Sequence, residues 1–210
     1  AVMDRDALRL TRGGEILGDI ANGWIPPGIP GFEEAGGLTQ NTDLDFLANP
    51  KGDAAVAKKY MDAAAAEGLP ITDGKWTGGD KILTIATNAD PGKKTAESFQ
   101  GQVEALGFKL NFRIVPQDTL YTKFCGVPSQ KVAICPNVGW FKDFPDPQAM
   151  LDATFNGKNI LQQGNVNWPQ LDVPAINDAM SAAALIPAGA DRNKAWAAIN
   201  KQIAEQAPAI

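Results

Sequence analysis

The order of elements between residues 82 and 138 predicts an α/β fold, with an open, mostly parallel or mixed sheet flanked by helices. Three observations carry this. Ile82–Thr87, ILTIAT, is a short, nearly all-apolar run with β-branched residues, the pattern of a strand buried on both faces. Lys109–Val115 alternates, with Leu110, Phe112 and Ile114 set against Asn111 and Arg113, so this strand has one less buried face. Between the two, Thr95–Leu106 reads as a helix with Phe99, Val103 and Leu106 inward and Gly107 as its stop. A short helix over Asp118–Phe124 and a third strand over Val132–Val138 complete a β-α-β-α-β order, the signature of a doubly wound layer. Pro136 marks the third strand as an edge or a bulge, because proline cannot donate to a ladder.

The flanking elements follow from caps and breakers. Asp4 caps a short helix to Thr11, stopped by Gly13-Gly14. Gly23–Gly37, GWIPPGIPGFEEAGG, cannot be regular structure; its Trp24, Ile25, Ile29 and Phe32 predict a loop packed onto the protein. Asp53 caps a helix to Glu67, with Val56, Tyr60 and Ala64 on one face, Gly68 at its end and Pro70 barring continuation. Gly74–Asp80 is a turn. Asp146-Pro147 reads as an N-cap followed by proline at the first helical position, opening a helix to about Thr154. Residues 156–172 are a polar loop. Pro174–Ile186 is a helix, broken by Pro187-Ala188-Gly189. Asp191 is expected to cap a last helix with Trp196, Ile199 and Ile203 on one face, ending near Pro208.

Composition narrows the function. With 44% apolar and 20% charged residues, 210 residues can bury a core as one domain or two small ones. A net charge of −5 argues against nucleic acid or an anionic membrane as partner. The chain has no histidine, which excludes a histidine zinc site, a histidine base and a Ser-His-Asp triad within it. No apolar run approaches the roughly 20 residues of a membrane span. The start, AVMDRDALRL, lacks a basic flank followed by an apolar stretch, so the chain is expected to be a segment of a longer protein, with any export signal outside it. Cys125 and Cys135 allow either two buried thiols or a short disulfide, the latter requiring an oxidising compartment.

Two stretches invite chemical readings. TNADPGKKT, Thr87–Thr95, joins a strand to a helix and contains Gly-Lys, yet it has Thr87 and Lys94 where a phosphate loop needs glycine and a hydroxyl, so a polar turn is expected. GWFKDFPDPQAML, Gly139–Leu151, follows the third strand, and in open α/β sheets ligands bind beyond the carboxyl ends of strands. Asp143 and Asp146 could form a general acid/base pair of a small hydrolase. Asp146 also has a structural role available as a helix cap. Asp143 has no such role. Beside Trp140, Phe141 and Phe144 it suits a cation with an apolar body, the carboxylate pairing the charge and the rings stacking on the rest. A third reading is an interaction module docking through the Pro-rich loop and Trp24. Trp168, before Pro169, serves as anchor or as ligand wall.

GWFKDFPDPQAML resembles the W-x-x-D-[YF]-x-D-P segment of the family 5 extracellular solute-binding proteins, the dipeptide- and oligopeptide-binding components of ABC importers. AVMDRDAL followed by NGWIPPGIPGF looks like the start of that family's C-terminal lobe. The resemblance implies a type II periplasmic-binding-protein-like fold, with residues 1–210 forming a single lobe whose N-terminal partner lobe is missing. It implies no enzymatic activity, no cofactor and no metal, with a peptide or another small solute as ligand and a membrane permease as partner. Carried over by position, Asp143 would pair with the ligand's α-ammonium group and Trp140 would line the pocket, with Phe141, Phe144 and Asn137 beside them. Some oligopeptide binders carry arginine three residues before that tryptophan, where this chain has Asn137. Relatives binding nickel complexes or sugars share the fold. The location implied is extracellular or periplasmic, with lipoprotein anchoring of the full-length protein, and an exported protein fits a Cys125–Cys135 disulfide.

Overall fold

The structure is a computed structural model that describes residues 1–40, 47–79 and 81–208. The chain forms two compact units. The first comprises Ala1–Gly18, Ala48–Cys125 and Gln130–Val138; the second comprises the described residues of Asp19–Leu47, Gly126–Ser129 and Gly139–Ile210.

In the first unit, α1 (Arg5–Thr11) begins where Asp4 accepts the amide hydrogen of Ala7 at 2.8 Å. Helix α2 (Ala54–Ala66) begins where Asp53 accepts from the amides of Ala55 and Val56. The face that carries Val56 and Tyr60 is not the buried one: Ala57 is buried, while Val56 and Tyr60 are exposed. The helix is rich in alanine, which is small enough to sit on either face, so its larger residues misreport the contact side. The expected turn is instead a small hairpin, β1 (Ile71–Thr72) against β2 (Lys75–Trp76), closed by Asp73 and Gly74 with φ of +50° and +70°. Two left-handed residues match the strand twist in a two-residue loop. The turn expected over 74–80 runs to Asp80, which lies outside the described residues.

The sheet is built on β3 (Lys81–Thr87), parallel to β4 (Lys109–Val115) in the register Lys81↔Lys109 to Thr87↔Val115. Thr84, Ile85, Ala86 and Thr87 are buried, as the apolar run predicts. Helix α3 (Gly92–Glu104) makes the crossover and starts three residues earlier than expected, with Phe99 buried. Gly107 follows it at φ +89°, where a Cβ would come within 2.5 Å of the Trp76 carbonyl oxygen; the Trp76 ring stacks on Phe108 at 5.4 Å. The expected third strand is reduced to a parallel bridge, Thr84↔Ile134. Ile85 donates to Ile134 at 3.1 Å and Ala133 donates to Leu83 at 3.1 Å, and there the ladder stops. Pro136 supplies no donor to continue it. The expected helix over 118–124 is α4 (Gln117–Thr119) running into a π-helical turn, Leu120–Cys125, with Leu120 fully buried. Cys125 is disulfide-bonded to Cys135, tying the end of that turn to the bridge segment.

The second unit holds a core of Ile25, Ile29, Leu151, Met180, Trp196 and Ile203, all at or below 3% exposure. The Pro/Gly-rich loop 23–37 is packed through Ile25 and Ile29, and Trp24 lies 5.2 Å from the Phe155 ring. Its end is locked by polar contacts: Gln40 and Asn200, both at 0% exposure, bond to one another at 2.9 Å, and Asn200 accepts the Trp24 amide hydrogen at 2.8 Å. Three helices complete the unit. They are α5 (Pro147–Phe155), α6 (Pro174–Ala184) and α7 (Ala190–Glu205). Trp196, Ile199 and Ile203 form the buried face of α7 as expected, but Asp191 is not its cap. Gly189 takes that position at φ +143°, and Asp191 lies in the first turn, where its charge favours the helix N-terminus. The polar loop 156–172 is held by buried asparagines, Asn167 donating to the carbonyls of Asn156 and Leu171 and accepting from the Leu171 amide.

Candidate ligand-binding loop

In the second unit, residues 139–145 form an excursion that ends on α5. Its two ends are fixed by different side chains. At the near end, the Trp140 indole donates to the Ala149 carbonyl within α5 at 2.8 Å. At the far end, Asp146 caps α5, Oδ1 accepting from the Gln148 amide at 2.9 Å, with Pro147 at the first helical position where no donor is needed.

Asp146 has a second partner that sequence reasoning missed. Arg192, in the first turn of α7, places Nε 2.9 Å from Asp146 Oδ2 and Nη2 3.0 Å from Oδ1, a two-point fork. The same guanidinium donates to Gln148 and, through Nη1, to the carbonyls of Ala183, Ala184 and Ile186 at the end of α6. It also lies over the Trp196 ring at 5.8 Å. Burial pushes the Asp146 carboxyl up, but the Arg192 hydrogen bond, the Gln148 amide and the Arg192 charge outweigh it and hold the group below its ordinary value. The signal was present in the sequence. Arg192 precedes Trp196 by four and Ile199 by seven, which puts a charge on the buried stripe of α7 and calls for a carboxylate partner.

Between these anchors the loop is open. Asp143 and Lys142 are exposed, Phe141 is 88% exposed and Phe144 48%. Trp140, Phe141, Asp143 and Phe144 therefore share one short loop of the second unit. Asn137 belongs to the first unit and is occupied there: Oδ1 accepts the Thr87 amide hydrogen at 2.9 Å and Nδ2 donates to Gly92 at 3.0 Å. Trp168 is half-buried in the loop beside Asn167.

The geometry separates the two aspartates. Asp146 accepts three hydrogen bonds and is ion-paired with a nearly buried arginine, which holds it as a charged structural partner and makes it a poor general base. The hydrolase reading needs two available carboxylates and is not favoured. Docking through the Pro-rich loop fares no better, because the apolar side chains of that loop point into the core.

Residues 3–162 match the bacterial extracellular solute-binding proteins, family 5 Middle. The chain belongs to that family. No curated protein matches the sequence. Solved structures similar to this family 5 chain include clavulanic acid biosynthesis oligopeptide binding protein 2, at 24% identity and a TM-score of 0.77 over 98% of this chain and 35% of that one. The oligopeptide-binding protein AppA from Bacillus subtilis, in complex with a nonapeptide, matches at 18% identity and a TM-score of 0.71 over 99% of this chain and 38% of that one. MoaA from A. tumefaciens R10, in complex with mannopinic acid, matches at 17% identity and a TM-score of 0.64 over 99% of this chain and 37% of that one. The fold is that of type II periplasmic binding proteins, and this family 5 chain spans 35%, 38% and 37% of these three structures.

Proposed function

We propose that this chain is one lobe of the solute-binding component of an ABC importer, and that its loop 140–144 holds the charged end of a peptide or a related small solute. The observation that carries the reading is the exposed Asp143 between Phe141 and Phe144, on a loop anchored at both ends. An exposed carboxylate flanked by rings is complementary to an ammonium group on an apolar body. Trp140 offers a ring face to the ligand while its N–H is held by α5. Asn137 contributes through the sheet rather than through the ligand. The full-length protein works outside the cytoplasmic membrane, anchored as a lipoprotein, without catalysis. A second lobe closes on the solute, excluding water and strengthening the ion pair. A permease receives the solute on release.

The test is calorimetric titration of the full-length protein with unmodified tri- to pentapeptides and with the same peptides N-acetylated. Asp143→Asn is expected to weaken binding of the unmodified peptides by about tenfold to a hundredfold, the range for losing a charge-assisted hydrogen bond. Binding of the acetylated set should change little. Equal affinity of wild type and Asp143→Asn for the unmodified peptides would overturn the role of Asp143. Binding of sugar–amino acid conjugates in preference to any peptide would move the ligand class towards that of MoaA.

A further inference from the structure

We infer that Arg192 is the positioning residue of the ligand-binding loop: acting through Asp146, it holds residues 141–145 in their presenting conformation without touching the ligand. The inference rests on the reading of Asp143 given above for its functional consequence, but not for its geometry.

The argument starts from what a seven-residue excursion needs. Its interior residues are exposed and have few partners to order them, so its conformation is set at the ends. The Trp140 indole sets the first end on α5. A helix cap alone would set the second, but Asp146 does more than cap. Its carboxylate is gripped on both oxygens by a guanidinium that is itself only 8% exposed. That guanidinium cannot drift, because its remaining N–H groups are bonded to the last carbonyls of α6 and to Gln148. The planar fork therefore refers the loop's far end to three helices at once. The Asp146 amide also donates back to the Phe144 carbonyl at 2.8 Å, so fixing Asp146 fixes the residue next to Asp143. A loop ordered before the ligand arrives loses less entropy on binding, which raises affinity without a new contact.

A purely structural arginine would make a different prediction. Its loss would fray the end of α6 and leave the loop unchanged. Two variants separate the cases. Arg192→Met removes every contact of the guanidinium. Asp146→Asn keeps a cap acceptor and leaves Arg192 bound to the carbonyls of α6, but breaks the charged fork. Both are made in the full-length protein without ligand, and amide exchange of residues 141–146 and 183–186 is followed together with exchange of the Trp140 indole proton, assigned by its loss in Trp140→Phe. Expected for Asp146→Asn is exchange of the Asp146 amide, which is bonded to the Phe144 carbonyl, about tenfold faster, with residues 183–186 unchanged. Expected for Arg192→Met is acceleration in both regions. Unchanged exchange at residues 141–146 in Asp146→Asn overturns the inference, even where Arg192→Met is too unstable to study.

Titration with trialanine adds the functional arm. Asp146→Asn should weaken binding by roughly fivefold to tenfold through loss of preorganisation. If Asp143→Asn abolishes trialanine binding while Asp146→Asn leaves it intact, the ligand reading survives and the positioning role fails. If Asp143→Asn has no effect while the exchange changes appear as expected, the clamp stands and the ligand reading fails.

Discussion

Asn137 continues the sheet with its side chain where the main chain cannot. Oδ1 accepts from Thr87, the last residue of β3, at 2.9 Å, and Nδ2 reaches Gly92 at the start of α3 at 3.0 Å. Its own carbonyl accepts from Gln117 at 3.2 Å. One asparagine thus links the end of β3, the start of α3 and the segment beyond Pro136. Asn137→Ala should leave the Thr87 amide, on a residue only 3% exposed, without a partner. The expected cost is about 1–3 kcal/mol, the penalty for an unsatisfied buried donor. Urea unfolding of the 210-residue chain measures it, and a loss below about 0.5 kcal/mol would show that the amide finds water instead.

The Gln40–Asn200 pair makes a parallel case in the second unit. Both are fully buried, and they join the end of the Pro/Gly-rich loop to α7. Gln40 also donates to the carbonyls of Ile25 and Gly37. Gly23 has to be glycine here, since a Cβ would lie 2.7 Å from the Gln40 side chain. Asn200→Ala and Gln40→Ala should each cost about 1–3 kcal/mol. In a double-mutant cycle the two should couple by about 0.5–3 kcal/mol, as members of one network. Additive losses would mean that the bond between them contributes nothing beyond each residue's other contacts.

Much of the architecture was legible because it follows from local rules. Asp4, Asp53 and Asp146 each precede a helix with the pattern of a cap, and each is seen to cap one. The apolar run of β3 and the helix between it and β4 predicted a parallel pair, and the two strands do pair in parallel. The misreadings have physical causes. Val132–Val138 has the composition of a strand, but Pro136 ends its pairing after one bridge. The apolar face of α2 set by Val56 and Tyr60 is not its buried one, because the buried residue is Ala57 and alanine carries no facial signal. At the candidate site, the loop and its exposed carboxylate were visible from residue type alone. The place of Arg192 on the buried stripe of α7 was legible too, but its partner was not, because Asp146 lies 46 residues away and only the fold brings the two together.

The disulfide gives a prediction that involves no substitution. Cys125 and Cys135, ten residues apart in sequence, close a short loop in the first unit. In the chain-entropy model a loop of this size stabilises by about 2–3 kcal/mol. Purified chain treated with a thiol reductant should lose that much in urea unfolding, while Cys125→Ala/Cys135→Ala should be insensitive to the reductant. Thiol titration of the untreated, denatured protein should detect no free sulfhydryl. Equal stability with and without reductant, with thiols confirmed after treatment, would show that the bond only decorates a structure already held by its other contacts.

Acid provides the test of the Asp146–Arg192 fork. The folded carboxyl sits below its ordinary value, since burial, which raises it, is outweighed by the Arg192 hydrogen bond, the Gln148 amide and the Arg192 charge. A carboxyl depressed by folding contributes its stability in full above the unfolded value of about 3.9. That contribution fades as pH falls through the lower folded value. Asp146→Asn should therefore be less stable than wild type by about 2–3 kcal/mol near neutrality, because a nearly buried guanidinium loses its charged partner. Below about pH 4 the gap should narrow, as wild type protonates the same group that the variant has already neutralised. Urea midpoints of both proteins, measured from about pH 7 down to about pH 3, follow the two curves. A gap that stayed constant across that range would mean that the difference does not come from ionisation of Asp146, and would remove the ion pair from the account.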